Sequence, residues 1–285
     1  MKLKCAKVSD SHFGVSKNTE KFHEKFWNEL AKENIDILFW AGDLISHKQS
    51  QLERTVAQAR RILGNKIKVL ACEGNHDKWR DEYFKAGSKA PPASDIYTYY
   101  RYRQAQLRRQ IYDKPQSWNE MIESHKDIYA KYNIIHLDGT SYDINDKVTA
   151  IGYDGWYADA NVTTLGTNDY KFLPEMIETA PAHIYLRYKA EKDLDKILNI
   201  DTEGKIVVGM THMPPFSNTE PVVDPGVVPK WNANPTFLKL LTDKCDYFLV
   251  GHNHKALDVV FNDCRIINSG SDYEKPKYTI FEIEY

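Results

Sequence analysis

Short apolar runs in this chain end at blocks of Asp, Asn, His and Gly, and this repeated arrangement constrains the fold more than any other feature. Three such runs come first: residues 3–8 end before Asp10, residues 35–40 before Gly42-Asp43, and residues 67–71 before Gly74-Asn75-His76-Asp77. Runs of this kind are typical of strands that are covered on both faces. Helical patterns separate them, so the order strand, helix, strand predicts a parallel sheet with helices packed outside it.

Two later apolar runs have the same form. Residues 205–210 end before Thr211-His212, and residues 246–250 end before Gly251-His252-Asn253-His254. Open α/β sheets bind ligands at the C-terminal ends of their strands, so we expect all five blocks to meet in one crevice. In extended chain, residues i and i+2 point to the same side, which lets His252 and His254 face that crevice together.

Other segments complete the predicted architecture. Residues 256–261, 265–268 and 278–283 are closely spaced strand candidates, which predict an antiparallel meander forming much of a second sheet. Residues 50–63 and 182–198 have helical patterns. A further helix is expected after Thr19, which can cap it, and its Phe22, Phe26 and Leu30 recur at four-residue spacing and give one apolar face.

Composition excludes several classes of protein. The formal net charge is −2, which gives no global electrostatic reason to expect nucleic acid or an anionic membrane as partner. The four cysteines are scattered and form no Cys-x-x-Cys pair, so neither a disulfide framework nor a sulfur-based zinc site is indicated. No segment reaches the roughly 18 apolar residues of a membrane span. We therefore expect a soluble, cytoplasmic protein that makes no membrane contact.

The middle of the chain differs from its surroundings. Residues 1–285 are expected to form one domain, with residues 78–132 as a basic, aromatic-rich insertion or cap. Residues 78–114 contain nine Lys or Arg against four Asp or Glu, interleaved with eight aromatic residues. Such a segment can bind a nucleotide or a single strand. It can equally be a Tyr-rich helix packed on a core with its arginines in solvent. Trp79 and Arg80 follow His76 most closely and are the members expected to touch substrate.

The five blocks, taken in order, resemble the signature of the calcineurin-like metallophosphoesterase family, and their oxygen and imidazole donors suit divalent cations. The resemblance implies an α/β fold, a four-layer α/β/β/α sandwich with two central mixed sheets and a metal site at the C-terminal ends of strands. It also implies two ions, with Asp43 bridging between them. The remaining ligands would be Asp10, His12 and His254 for the first ion, and Asn75, His212 and His252 for the second.

A binuclear site of this composition suits phosphoester hydrolysis. Two divalent cations, the carboxylates of Asp10 and Asp43 and one bridging hydroxide carry a net charge of +1, which attracts a phosphate while the hydroxide attacks phosphorus. The family parallel makes His76 the acid that protonates the leaving group, and Asp77 is a candidate for orienting it. Manganese is the expected metal, with iron or zinc as alternatives, because all three accept carboxylate, amide and imidazole ligands.

The substrate is less constrained than the reaction. The serine/threonine phosphatase branch has a second Asp and an Arg after its Gly-Asp, whereas this chain reads Leu44-Ile45-Ser46-His47, and its third block ends in Asp77 rather than Glu. The sequence is therefore nearer the phosphodiesterase and nuclease branches. We expect a phosphodiesterase or phosphatase acting on a nucleotide-type phosphoester. The alternatives are a nuclease on DNA or RNA, a protein phosphatase, and a scaffold that binds metals without catalysis. His47 is a further, weaker candidate for lining the site, and the sequence does not specify the oligomeric state.

Overall fold

Two β-sheets stack face to face, and α-helices cover the outer face of each. The computed structural model describes residues 1–46, 49–79, 118–156, 173, 176–177, 180–214, 241–273 and 275–285. Residues from both sheets form one buried layer between them, including Phe39 and Leu70 from the first sheet and Val208 and Leu249 from the second. The metal-ligand candidates lie beyond the ends of these strands.

The first sheet contains five strands. They are β1 (Lys2–Val8), β2 (Ile37–Ala41), β3 (Lys68–Cys72), β4 (Ile134–His136) and β13 (Tyr278–Glu284), in the spatial order β13-β1-β2-β3-β4. The four strands β1 to β4 are parallel, and β13 is antiparallel to β1. The carboxyl ends of β1, β2 and β3 therefore lie at one edge, where their polar blocks follow.

The second sheet contains six strands. They are β5 (Thr140–Asp143), β6 (Val148–Gly152), β9 (Ile206–Met210), β10 (Tyr247–Leu249), β11 (Ala256–Phe261) and β12 (Cys264–Ser269), in the order β11-β12-β10-β9-β6-β5. The strands β6, β9, β10 and β12 are parallel, and the outer strands β5 and β11 are antiparallel to their neighbours. A separate short ribbon pairs β7 (Met176–Ile177) with β8 (Ala180–Pro181).

Helices form the two outer layers. The first sheet is covered by α1 (Thr19–Ala31), α2 (Leu52–Leu63) and α3 (Trp118–Lys131), whose Trp27, Val56 and Tyr129 share a buried cluster with Leu38. The second sheet is covered by α4 (Ala182–Leu198), and 3-10 turns occupy Gln49–Gln51 and His76–Lys78. The predicted four-layer α/β/β/α sandwich is confirmed.

The last strand is placed differently from the prediction. The strands β11 and β12 form an antiparallel pair, as expected, but β13 leaves the second sheet and pairs with β1 from Lys2↔Glu284 to Val8↔Tyr278. Phe281 and Ile283 thereby enter the layer between the sheets. The strand also covers the outer edge of β1, whose backbone groups would otherwise lack partners.

The buried face of α1 also differs from the prediction. Phe22 is 39% exposed, whereas His23, Phe26, Trp27 and Leu30 are buried. Residues 23, 26, 27 and 30 follow the i, i+3, i+4, i+7 spacing of a helix face more closely than the simple four-residue repeat does. The residue at the cap position is Asn18, which makes no side-chain capping bond.

The segment predicted as an insertion is described only at its ends. Trp118–Lys131 is helix α3, which packs against α2 and β4, and Trp79 is buried in the core. Residues 80–117, which include Arg80 and the helical pattern expected near residues 96–111, lie outside the described residues. The cap stays a prediction for them.

All four cysteines are free and buried. Among the described helices, none combines the length and the apolar character that a membrane crossing requires.

Candidate metal centre

Asp10, His12 and His254 converge beyond the carboxyl end of β1. Their possible ligand atoms all lie within 4.8 Å of one another. The Nε2 atoms of His12 and His254 are 3.2 Å apart, and His254 Nε2 is 3.5 Å from Asp10 Oδ1. These are the three side chains predicted for a first metal ion.

Asn75, His212 and His252 form an adjacent group. Asn75 Oδ1 lies 3.1 Å from His212 Nε2 and 3.1 Å from His252 Nδ1. Asn75 follows β3 in the first sheet, whereas both histidines belong to loops of the second sheet, so this group spans the sandwich. These are the side chains predicted to coordinate a second metal ion together with Asp43.

Asp43 lies between the two groups. Its Oδ2 atom is 3.7 Å from His12 Nε2 and 3.3 Å from His212 Nε2, and its ligand atom also clusters with that of Asp10. The carboxylate is 1% exposed at the residue level, so its charge is poorly screened by water. The structure thus brings all seven predicted ligands into one place, with the predicted bridging residue in the middle.

Burial and charge at the site suit divalent cations. Burial lowers the pKa of His12 well below its usual value and the pKa of His252 to about 3, so both imidazoles are neutral, as ligands must be. Burial also opposes the charged form of His212, but the Asp43 carboxylate overrides it and raises the pKa of His212 to about 9. A carboxylate that attracts a proton this strongly also attracts a metal cation.

One buried oxygen supports the same conclusion. Within the described residues, Asp10 Oδ2 is buried and has no hydrogen-bond partner, while Asp10 Oδ1 accepts a bond of 2.8 Å from the His252 backbone N–H. An unpartnered buried carboxylate oxygen is costly unless a cation neutralises it. The donor set of carboxylate, amide and imidazole therefore fits two divalent ions.

The backbone around the site is unusual in the same places. Of nine described non-glycine residues with positive φ, five are predicted ligands: Asp10, His12, Asp43, His252 and His254, with φ between 45° and 69°. This left-handed region is disfavoured for residues with a Cβ, and such conformations concentrate at functional sites. Each strand ends and the chain turns sharply, which directs these side chains into the crevice.

Two glycines allow the loops to approach closely. A Cβ on Gly74 would lie 2.1 Å from Asp43 Oδ1, and a Cβ on Gly42 would lie 2.4 Å from His212 Nδ1. Gly42 also has a φ of 77°, which glycine adopts without strain. The glycines that precede Asp43 and Asn75 in sequence are therefore required by space at the site.

His76 lies beside the ligand candidates, with a ring nitrogen within 4.8 Å of possible ligand atoms of His12 and Asp43. Its Nε2 atom is 4.0 Å from Asp43 Oδ2, and its Nδ1 atom is 2.7 Å from the Ser46 carbonyl oxygen. Its ring stacks on the indole of Trp79, with centroids 3.6 Å apart. The hydrogen bond and the stacking contact fix the ring with Nε2 toward the metal-ligand groups.

The Asp77 carboxylate accepts backbone hydrogen bonds from two loops, and its expected part in orienting His76 stays a prediction. Its Oδ1 accepts a hydrogen bond of 3.0 Å from the Ile45 backbone N–H, and its Oδ2 accepts one of 2.8 Å from Gly74. The buried carboxylate thus joins the loops after β2 and β3. The group that faces His76 Nδ1 is the Ser46 carbonyl, and a backbone group of this kind leaves no signal in the sequence.

Two side chains near the ligand candidates, Tyr273 and Asp272, are not among the site residues predicted from the sequence. Tyr273 is 42% exposed and stacks on the His12 ring with centroids 4.3 Å apart, and Asp272 Oδ1 is 3.6 Å from His254 Nδ1. Both follow β12, where Ser271-Asp272-Tyr273 is a polar block at a strand end, like the five blocks that contain the predicted ligands. His47 lies outside the described residues.

A second cluster of potential ligands lies behind the site. Glu73, His136 and Asp154 offer ligand atoms within 4.8 Å of one another. The buried Lys78 ammonium lies 2.9 Å from Asp154 Oδ2 and 3.8 Å from Glu73 Oε2. A protein cation therefore already pairs with both carboxylates, and the cluster is an ion-pair network.

Comparison with known proteins identifies the class. A family model described as calcineurin-like phosphoesterase matches residues 3–256. The chain belongs to the calcineurin-like phosphoesterase family, as its five motif blocks indicated.

Solved structures share the fold at low sequence identity. A phosphopantetheinyl hydrolase from Mycobacterium tuberculosis aligns with a TM-score of 0.61 and 12% identity, over 95% of this chain and 90% of that one. A candidate 5′-nucleotidase from Staphylococcus aureus, solved in complex with alpha-ketoglutarate, aligns with a TM-score of 0.51 and 13% identity, over 98% of this chain and 51% of that one. No curated protein matches the sequence.

Proposed function

We propose that this protein hydrolyses phosphoesters with a pair of divalent cations. The observation that supports this most directly is the position of Asp43, whose Oδ2 lies within 3.7 Å of His12 Nε2 and 3.3 Å of His212 Nε2. One carboxylate oxygen facing imidazoles from both groups is the geometry that a bridging ligand needs. Asp10, His12 and His254 would hold one ion, and Asn75, His212 and His252 the other.

The bound ions would supply a hydroxide nucleophile and positive charge for the phosphoryl oxygens. The protein's own part is to hold the ions at fixed positions and to deliver a proton. His76 is placed for the second task, because its Nε2 faces the site while the Ser46 carbonyl accepts from Nδ1. Because a carbonyl oxygen can only accept, Nδ1 carries its proton toward Ser46, and Nε2 is the nitrogen that would exchange a proton with a leaving oxygen.

The proposed substrate is a nucleotide-type phosphodiester or phosphomonoester. Tyr273 supports this class, because its partly exposed ring lies against His12 and His254 and offers a stacking surface to an aromatic leaving group or base. The residues after Asp43 read Leu44-Ile45-Ser46, without the Arg of the protein phosphatases. Manganese is the proposed metal, because it accepts all three ligand types.

A substrate panel on metal-loaded protein tests the proposal. Protein freed of metal with a chelator and reloaded with Mn²⁺ should hydrolyse bis(p-nitrophenyl) phosphate, and the activity should disappear when the metal is removed again. Phosphomonoesters, cyclic nucleotides, dinucleotides and oligonucleotides, assayed side by side, then define the substrate class. Preference for oligonucleotides with steep salt dependence would favour the nuclease alternative. No turnover of any phosphoester with two ions bound would contradict the proposal.

A further inference from the structure

Asp154 occupies a position between the two sheets that the sequence did not single out. It follows β6 of the second sheet by two residues and is 6% exposed. Its side chain points to the loop after β3 of the first sheet, whereas its backbone carbonyl points to the loop after β9 of its own sheet. These two loops supply Asn75 and His212.

On the first-sheet side, the Asp154 carboxylate holds both ends of one ligand block. Its Oδ1 accepts a hydrogen bond of 2.8 Å from the Glu73 backbone N–H, and its Oδ2 accepts one of 2.9 Å from the Lys78 ammonium. Glu73 and Lys78 immediately flank the block Gly74-Asn75-His76-Asp77. The segment that bears Asn75 and His76 is thus fixed at its beginning and its end by a single side chain.

Further bonds make these anchors rigid. Glu73 Oε1 lies 2.6 Å from His125 Nδ1 and accepts a hydrogen bond of 3.3 Å from the Tyr129 hydroxyl, so helix α3 supports the same point. Lys78 donates its backbone N–H to the Asn75 carbonyl at 3.1 Å. Every one of these groups is buried, so each bond is formed in a low-dielectric region and is costly to break.

On the second-sheet side, the Asp154 carbonyl oxygen accepts from two donors. The His212 backbone N–H lies 3.4 Å from it and the Thr211 hydroxyl lies 3.3 Å from it. The residue that fixes the Asn75 block therefore also fixes the chain at His212. Asn75 Oδ1 and His212 Nε2 are 3.1 Å apart across the junction of the sheets.

We propose that Asp154 is a positioning residue for the second metal ion, which sets the separation of Asn75 and His212 across the two sheets. The inference rests on the proposed two-metal function. No described hydrogen bond joins Asp154 to Asp10, His12 or His254, so the first ion should not depend on it. The contacts also explain the residue type: Glu73 N–H and Lys78 are both donors, and a carboxylate accepts both, whereas an amide offers a single acceptor.

Asp154→Asn tests the inference through metal binding rather than turnover. Titration of metal-free protein with Mn²⁺ by calorimetry should show two ions bound by the unaltered protein. In Asp154→Asn the second ion should bind about 10- to 100-fold more weakly, which is the usual effect of removing a group that supports a ligand, while the first keeps its affinity. Electron paramagnetic resonance should show the spin-coupled manganese pair replaced by an isolated ion.

Asp193→Asn is the matched control. Asp193 is also buried and accepts from two ammonium groups, Lys189 and Lys196, each at 2.6 Å, but it lies on α4, and no described hydrogen bond joins it to a ligand loop. The same chemical change there should leave both manganese affinities unaltered. Near-ultraviolet circular dichroism of the metal-free proteins verifies that each variant is folded.

Lys78→Met provides a second, independent variant. It removes the ammonium that Asp154 holds and should weaken the second ion in the same way. Both substitutions break the same contact. The double variant Asp154→Asn/Lys78→Met should therefore lose no more manganese affinity than the single variant that loses more of it. Additive losses would overturn the assignment of this contact.

The outcomes separate the two proposals. Equal weakening of both ions in Asp154→Asn, unchanged binding of both, or an equal effect of Asp193→Asn would overturn the role of Asp154 while leaving the two-metal function standing. If the unaltered protein bound fewer than two ions, the proposed function would fail first, and the role of Asp154 with it.

Discussion

The indole of Trp79 stacks on the imidazole of His76 with ring centroids 3.6 Å apart and ring planes inclined by 29°. Trp79 is 3% exposed and belongs to the buried apolar cluster between the second sheet and α4. This cluster therefore extends as far as the proposed proton donor, His76. The orientation of His76 is therefore coupled to core packing as well as to the Ser46 carbonyl.

Substitution of His76 should affect turnover according to the leaving group. In His76→Ala we expect kcat to fall by about 10² to 10⁴ for a substrate with an alkoxide leaving group, because its oxygen needs a proton. A p-nitrophenyl ester should be affected far less, since its leaving group is stable without protonation. Metal content, measured by elemental analysis, should not change. Equal losses for both leaving groups would contradict the role of His76 as an acid.

Removal of the Trp79 indole, which stacks on His76, should slow the same proton transfer to the leaving group. In Trp79→Ala we expect kcat to fall about three- to tenfold for alkoxide leaving groups, since an aromatic pair of this kind is worth about 0.5–1.5 kcal/mol. Trp79→Phe keeps an aromatic ring but fills less of the core. It is therefore the control for effects that come from lost core volume rather than from lost stacking. In a His76→Ala background, Trp79→Ala should change kcat no further, and a further fall would show that Trp79 acts by another route.

The two ligand groups should lose metal differently when altered. Asp43→Ala removes the carboxylate that faces both groups, so we expect both ions to be lost after gel filtration in metal-free buffer. Asn75→Ala removes a ligand of the second group alone, and one ion per chain should remain bound. Elemental analysis of the eluted protein measures both. Retention of two ions in Asp43→Ala would rule out its bridging position.

Metal affinity should depend on pH through His212. Its pKa is raised to about 9 in the metal-free protein, and a metal can bind only the neutral ring, so the proton competes with the metal below that pH. Raising the pH from 7 to 8 should strengthen binding of the second Mn²⁺ by about tenfold, with close to one proton released per ion. Calorimetry in buffers of different ionisation enthalpy counts the proton. Affinity that is unchanged over this interval would contradict the prediction.

The stability of the metal-free protein should depend on pH through His23. His23 is buried on α1, its Nε2 lies 2.7 Å from the Ser11 carbonyl, and burial lowers its pKa to about 4 from an unperturbed 6.5. The unfolded chain binds this proton more readily, so the stability contribution is complete above pH 6.5 and is lost as the pH falls toward 4. The loss is about 3 kcal/mol at pH 4.

His23→Gln provides the comparison for that loss. The glutamine amide can donate to the Ser11 carbonyl but does not titrate, so the free energy of unfolding should fall about 3 kcal/mol less between pH 7 and pH 4 than in the unaltered protein. Urea unfolding at the two pH values measures the difference. Parallel losses in both proteins would show that His23 is not the titrating group.

The strands and the ligand blocks could be predicted because their signals are local. Buried parallel strands are continuous apolar runs, and β1, β2, β3 and β9 appear within two residues of the predicted positions, each followed by its polar block. The layer order followed from the family resemblance and is confirmed by the two sheets and their helices. The convergence of the seven ligand candidates then follows from strand ends that lie side by side.

What could not be predicted depends on partners distant in sequence. The alternation within β13 specifies a strand with one buried face, but nothing in it specifies β1 as neighbour. The role of the Ser46 carbonyl depends on backbone geometry alone. Asp154 looked like an ordinary polar residue after a strand, because its importance lies in contacts with Glu73 and Lys78, some 80 positions earlier in the chain.

The left-handed backbone at five of the ligand candidates has a consequence for engineering this protein. At Asp10, His12, Asp43, His252 and His254, glycine would relieve a conformational penalty of about 1–2 kcal/mol per residue. A selection for heat tolerance alone would therefore reward the loss of the very side chains that face the crevice. Libraries intended to make the scaffold more robust should leave these five codons fixed and vary the helices instead.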